Sequence, residues 1–496
     1  MFLFICSMLL ACDITPDAST PNNEYSLIGD EKVKTTVFAD YKKISNIDPL
    51  GNAYLLVGDT IITYKTPKLN TLPSTKPDLS KLKNNEDPDL KDKPLRMVSI
   101  GGGLTAGVRD GGYFNEGIIT NYANLVARQM QLEKFDQPLF SNSAYNGFGR
   151  KTLSTNNVTG GPAPKFNTVK NNSAVQSINQ DGTLTMEGYN GNIDNFAVPF
   201  GNLNIVHPYD IVNPSTINTT VFKAIQSRTF SKSMTFVDNL FSRKFDFFTY
   251  EIGLDYLWKI ATQGYTLGYI TISPDAIFKP RRDLDLVDLS LDAPTRFIRV
   301  MKDNKFEKGC FLNVPDITKL PYFKIITSDM MNTLPNFIYA IGDGTFPITL
   351  ARREVYLLPT DEVDSLLSDK VATNLKKGLS KSTPLKRASY VSKDWFDIRT
   401  TGYVQALNKE ASNSAQYMNV PLVDINSLYT KILAGGYVTD DGVKVDASYP
   451  KGNFFSSDGI YPTAFGQAVI ANEVIKTINN FYKTNIPLIN TKEFLN

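Results

Sequence analysis

Histidine is almost missing from this chain: His207 is the one example among 496 residues. With only three cysteines beside it, zinc sites built from imidazole and thiolate are excluded. An all-carboxylate site for a hard cation stays open on that count, but no metal and no cofactor is expected. A surplus of charge is also lacking. Fifty-two basic residues face fifty acidic ones, a net charge of +2 that leaves no electrostatic footprint for nucleic acid. Long apolar runs are missing too. The opening stretch, Met1 to Cys12, is too short to span a bilayer, and no later segment is apolar enough to do so.

That opening stretch reads as the hydrophobic part of a secretion signal. Leu9-Leu10-Ala11-Cys12 resembles a bacterial lipobox, in which the cysteine is acylated and becomes the first residue of the mature protein. Cys12 would then hold the protein at a membrane without a spanning helix; a plain signal peptide containing a cysteine is the alternative. No lysine or arginine precedes the run, as a start codon assigned too far downstream would leave it. Cys6 would depart with the leader, so Cys310 remains as the one unmodified thiol and no internal disulfide is expected. Residues 13–95 read as a tether, a small hairpin and a linker. Ala53 to Val57 and Thr60 to Tyr64 flank Gly58-Asp59 as two strands flank a tight turn. Residues 65–94, rich in Lys, Asp, Asn and Pro, suit an exposed linker or a strap lying on the main domain.

From there, apolar runs alternate with amphipathic helical patterns, the signature of an α/β domain. Met97, Val98 and Ile100 run as a buried strand into Gly101-Gly102-Gly103, a turn only glycine adopts easily. Asn121 to Gln131 carries Tyr122, Leu125, Val126 and Met130 at helical spacing. Residues 151–191 read as a loop region with a small hairpin at Asp181-Gly182, and Phe337 to Leu358 as a β-rich insertion. An amphipathic helix is expected from Thr360 to Leu379, with Val363, Leu366, Leu367, Val371 and Leu375 on one face. A further helix is expected over Gly402 to Met418, a buried strand over Val420 to Asp424, and a long helix over Ala464 to Tyr482.

Four stretches in order resemble the blocks of the SGNH (GDSL-type) hydrolases. Gly101-Gly102-Gly103-Leu104-Thr105-Ala106-Gly107 matches Gly-Asp-Ser-Leu-Thr-Ala-Gly, with Gly103 where the nucleophilic serine belongs and Gly102 at the aspartate. Asp194 to Pro199 is similar to the second block, although Phe200 takes the place of its oxyanion-hole glycine and Gly201 follows one residue late. Phe200 is either a cleft filler or ordinary core. Phe245 to Gly264 resembles the third block: Gly253 matches its glycine, Asp255 replaces the asparagine that donates to the oxyanion, and Tyr256 follows. A carboxylate there would oppose a developing anion; otherwise Asp255 is a helix N-cap or a surface carboxylate. Lys305 to Thr327 also holds a strand similar to one of that family. The last block, Asp458-Gly459-Ile460-Tyr461-Pro462-Thr463, keeps the triad aspartate but puts Tyr461 where histidine is expected. A phenol near pKa 10 is a poor base at neutral pH. Asp458 would then cap the following turn or hydrogen-bond Tyr461.

The resemblance implies a flavodoxin-like three-layer sandwich with a parallel sheet over residues 96–484, insertions at about 151–191 and 268–360, and a tail over 485–496. It implies a catalytically inactive member of the SGNH family, because Gly103, Asp255 and Tyr461 are altered together and triad members act as a unit. By analogy with similar Bacteroidota lipoproteins it implies a cell-surface subunit of an outer-membrane β-barrel complex in uptake, secretion or barrel assembly. Two alternatives remain. One is a working esterase on acyl or acetyl esters, with Thr105 or Ser457 as substitute nucleophile. The other is a glycan- or lipid-binding lipoprotein, with Tyr461, Phe200 and Tyr256 walling the cleft. His207 falls just after the second block, where a structural or surface role is expected.

Overall fold

A computed structural model describes residues 45–47, 53–57, 60–63, 69–154, 165–169, 172–178, 180, 184–199, 228, 236–251, 253–263, 298–299, 301–342 and 346–495. The leader with Cys12, the turn at Asp181-Gly182, and Phe200, Gly201 and His207 lie outside these residues. At the amino end, β1 (Ser45–Ile47), β2 (Ala53–Val57) and β3 (Thr60–Thr63) pair antiparallel, with Val57 opposite Thr60 across the expected hairpin turn.

The domain is α/β, built on a parallel sheet. After β4 (Met97–Ile100) come two antiparallel pairs, β5 (Lys151–Ser154) with β6 (Lys165–Thr168) and β7 (Val175–Ile178) with β8 (Leu184–Met186). The sheet continues with β9 (Phe247–Glu251) and β10 (Gly309–Leu312). Two more antiparallel pairs follow, β11 (Phe337–Ile341) with β12 (Pro347–Ala351) and β13 (Val355–Leu357) with β14 (Tyr390–Ser392), and finally β15 (Leu422–Val423). Strands β15, β10, β9 and β4 lie side by side in that order, all parallel. On the free side of β4, Ser99 bridges Asn195 in parallel, and the amides of Phe196 and Val198 donate to Ser99 and Gly101. Counted along the chain, the order is therefore 2-1-3-4-5. In doubly wound sheets of that order, ligands gather at the carboxyl ends of the first and third strands. Those strands are β4 and β9, and both are buried along their whole length, as a parallel sheet covered by helices requires.

Helices α1 (Gly103–Ala106), α2 (Tyr122–Gln129), α3 (Leu254–Gln263), α4 (Asp361–Leu367), α5 (Thr401–Met418), α6 (Ile425–Leu433) and α7 (Ala464–Tyr482) complete the frame. Helix α7 packs on α2, and α5 packs on β10 and β15. Asn121, Thr360, Asp424 and Thr463 each accept a backbone amide in the first turn of α2, α4, α6 and α7, as polar N-caps do. Among the described residues, no helix is long and apolar enough to cross a membrane.

Two segments read as peripheral are packed into the domain. Residues 69–94 form a strap: Leu82 and Leu90 are buried, Asn70 bonds Gln129, and Asn84 donates its amide to Asp246. The last residues return to the core through Ile486 and Ile489, with Asn472 on α7 exchanging two hydrogen bonds with the backbone of Ile489.

One expectation is corrected. The helix from Thr360 stops at Leu367 instead of running to Leu379. Val363, Leu366 and Leu367 are buried as expected, but Leu375 is 66% exposed in a short 3-10 turn. Ser368 leaves with ψ of 130° and its hydroxyl accepts the amide of Lys370, a local bond that competes with helix continuation. The buried face of α4 joins Ile338, Ala340, Val355, Leu357 and Tyr390 in a second hydrophobic core. That core spans residues 325–390, so the β-rich unit runs past 360.

Candidate functional site at the carboxyl ends of β4 and β9

Strands β4 and β9 end side by side, with Ile100 opposite Tyr250. Beyond them, the glycine triplet meets two carboxylates, Glu251 and Asp255, and the phenol of Tyr461. Glu251, the last residue of β9, accepts the Gly102 amide at 2.9 Å with one oxygen and the Leu254 amide at 3.1 Å with the other, so it caps α3. The Thr105 hydroxyl reaches the same carboxylate at 3.3 Å and lies 2.9 Å from the Tyr122 hydroxyl. Burial pushes the Glu251 carboxyl above the usual range, against the pull of those bonds. Gly253, at φ of 74°, makes the left-handed step that swings the chain from strand into helix.

Asp255, in the first turn of α3, is 6% exposed. One of its oxygens accepts the Gly103 amide at 2.9 Å, and the other accepts the Tyr461 hydroxyl. Of the two structural readings of Asp255, the surface carboxylate is corrected and the helix cap holds: Asp255 caps the neighbouring helix α1 and pairs with the phenol. Tyr461 is itself 5% exposed, so its ring offers no open stacking face. Burial, then the facing Asp255 carboxylate, holds its pKa well above the ordinary phenol value. Tyr461 donates and cannot act as a base.

Gly103 closes this arrangement. A Cβ placed on it would lie 2.8 Å from Asp255 Oδ1 and 2.8 Å from the Tyr461 hydroxyl. The space into which a side chain at 103 would project is occupied by the Tyr461–Asp255 pair. At Gly102 a Cβ would stand 3.1 Å from the same carboxylate, and at Gly101 it would press on Glu251 Oε2 at 2.9 Å.

Asp458 serves backbone. Its oxygens accept the amides of Ile460 (2.8 Å), Tyr461 (2.9 Å) and Gly111 (3.0 Å), so it caps its own turn and ties it to the loop after α1. The Tyr461 hydroxyl goes to Asp255 instead. Burial raises the Asp458 carboxyl from 3.8 to about 6 despite three amide donors.

The candidate nucleophiles are engaged. Thr105 is fully buried, and Ser457, 1% exposed, donates its hydroxyl to Asp110 at 2.8 Å. Cys310 lies in the middle of β10, where burial pushes its thiol well up and away from reactivity. Among the described residues, no three His, Cys, Asp or Glu side chains are grouped to hold a metal ion. Glu251 was not singled out by sequence reasoning; a lone acid ending the apolar run Phe247 to Tyr250 and preceding Gly253 was the available signal.

No protein-family model matches this chain, and no curated protein matches it either.

Proposed function

We propose that this chain is a surface lipoprotein built on an SGNH-type hydrolase scaffold that performs no ester chemistry. It serves as a binding or scaffold subunit of an outer-membrane β-barrel complex in uptake, secretion or barrel assembly. One contact carries the reading of inactivity: the Tyr461–Asp255 pair occupies the volume in front of Gly103 that a nucleophile would need. The 2-1-3-4-5 strand order, with four family-like blocks around its switch point, supports the scaffold. The carboxylates of Glu251 and Asp255 take up the Gly102 and Gly103 amides, the donors an oxyanion would require. The lipobox at Cys12 and the family analogy support the membrane address and the partner.

Two measurements test it. Purified protein should show no turnover of acetyl or longer acyl esters above buffer; turnover abolished by Tyr461→Phe would overturn the inactive reading. Purification from the native membrane in mild detergent should bring a β-barrel protein along, and a lipoprotein that emerges alone would sink the subunit reading.

A further inference from the structure

The second core carries a surface that the cleft does not explain. Phe346, beside the turn of the β11–β12 hairpin, is 80% exposed, and Phe337 at the start of β11 is 59% exposed. The segment that follows α4 lies along this hairpin: the Tyr339 amide donates to the Gly378 carbonyl, the Leu385 amide to the Tyr339 carbonyl and the Ile341 amide to the Leu385 carbonyl, all at 2.8–2.9 Å. It brings Leu375, 66% exposed, to the same unit. From Lys370 to Lys393 the chain holds seven lysines and arginines and no acid. Lys386 faces Glu362 at 3.7 Å and Arg387 donates to the Tyr390 carbonyl. Lys376, Lys377 and Lys381 have no carboxylate within ion-pair reach among the described residues.

We propose that this basic, apolar-tipped edge is a landing surface for an anionic lipid bilayer. Charge complementarity selects the occupant: unpaired lysines carried on the same unit as single protruding apolar side chains suit an interface where apolar tips enter the acyl boundary and ammonium groups stay at anionic headgroups. A protein partner of standard size would want a contiguous apolar core, and these side chains stand apart at the two ends of β11. The proposal needs neither an acyl group on Cys12 nor an idle cleft, so it stands or falls separately from the function proposed above.

The test is co-sedimentation of the full chain with phosphatidylcholine vesicles, with and without about one-third phosphatidylglycerol. The apolar leader is common to every variant, so only differences between variants are read. Replacing Lys376, Lys377 and Lys381 by Gln should weaken binding to anionic vesicles by on the order of 100-fold, at roughly fivefold per lysine. It should leave binding to neutral vesicles unchanged. Salt of about 1 M should erase the difference between the two vesicles. A Phe346→Trp variant should show emission quenched by brominated lipid beyond the background of Trp258 and Trp395. Equal binding of parent and triple variant, equal binding to both vesicles, or no added quenching would overturn the proposal. So would binding to an acidic protein with no binding to anionic vesicles.

Discussion

The two ends of β9 each present a buried carboxylate, and they are satisfied in opposite ways. At the amino end, Asp246 has a fully buried side chain that holds the Lys83 ammonium at 3.1 Å and accepts the amides of Asn84 and Arg96. A cation neutralises it, and the strap is thereby fastened to the sheet. At the carboxyl end, Glu251 is met by two amides and a hydroxyl, with no cation among these partners. Asp255 and Asp458 lie close by. One end is a charge-balanced clamp. The other gathers negative charge against a glycine turn, the reverse of what stabilising a developing oxyanion requires. One strand thus holds a buried carboxylate at each end in opposite electrostatic settings.

Removing the clamp should have the largest effect. Asp246→Ala leaves the Lys83 ammonium largely buried and two amides unpaired, and breaking such a pair destabilises by about 4 kcal/mol. Denaturant unfolding measures the loss, and limited proteolysis within 69–94 should accelerate. A loss below about 1 kcal/mol would place Lys83–Asp246 with ordinary surface pairs and remove the contrast.

The opposite end should show itself in pH dependence. The folded protein holds a proton on Asp458 more tightly than the unfolded chain does, with the carboxyl raised from 3.8 to about 6. Its contribution is complete below about pH 4 and is lost as pH rises through about 6, a decline on the order of 3 kcal/mol. Glu251, also raised by burial, acts in the same sense above its unfolded value of 4.5. Asp458→Asn should flatten most of that slope, measured as unfolding midpoint against pH. A stability that instead climbs from pH 4 to 6 in the parent would contradict an uncompensated carboxyl end.

Steric fill at the same end gives a smaller effect. Gly103→Ala sets a methyl 2.8 Å from Asp255 Oδ1 and from the Tyr461 hydroxyl, an overpacking that costs about 2 kcal/mol. Combined with Tyr461→Phe the penalty should shrink by at least about 0.5 kcal/mol, because the two positions are in contact. Additive losses would mean that the crowding lies elsewhere.

How much of this was legible beforehand follows the range of the interactions. Strand β4 and helix α7 were readable because the cues are local: an apolar run entering glycines, and a 3.6-residue pattern behind the cap Thr463. Helix α4 was overextended because periodicity at Val371 and Leu375 continued past a serine whose hydroxyl turns back on the backbone. A strap was one of two readings left open for residues 65–94, and the closing tail and the second core escaped, because burial of Leu82, Ile489 and Leu385 is decided by partners far away in the chain. At the site, Gly103, Asp255 and Tyr461 could each be singled out from the sequence one residue at a time. That Asp255 and Tyr461, 206 positions apart, would bond each other in front of Gly103 could not be read there.

The smallest predicted effect isolates that bond. Tyr461→Phe keeps the ring and its packing but removes the proton given to Asp255 Oδ1. Asp255 retains the Gly103 amide on its other oxygen, so the carboxylate is left half satisfied in a buried setting. Losing a hydrogen bond to a charged group typically destabilises by about 2 kcal/mol, and the retained amide should hold the change nearer 1 kcal/mol. Asp255→Asn should cost less than Tyr461→Phe, since an amide oxygen still accepts from one of the two donors without bringing a buried charge. If Tyr461→Phe proves as damaging as Asp246→Ala, the phenol is a clamp in its own right, and the carboxyl end of β9 is as firmly balanced as the amino end.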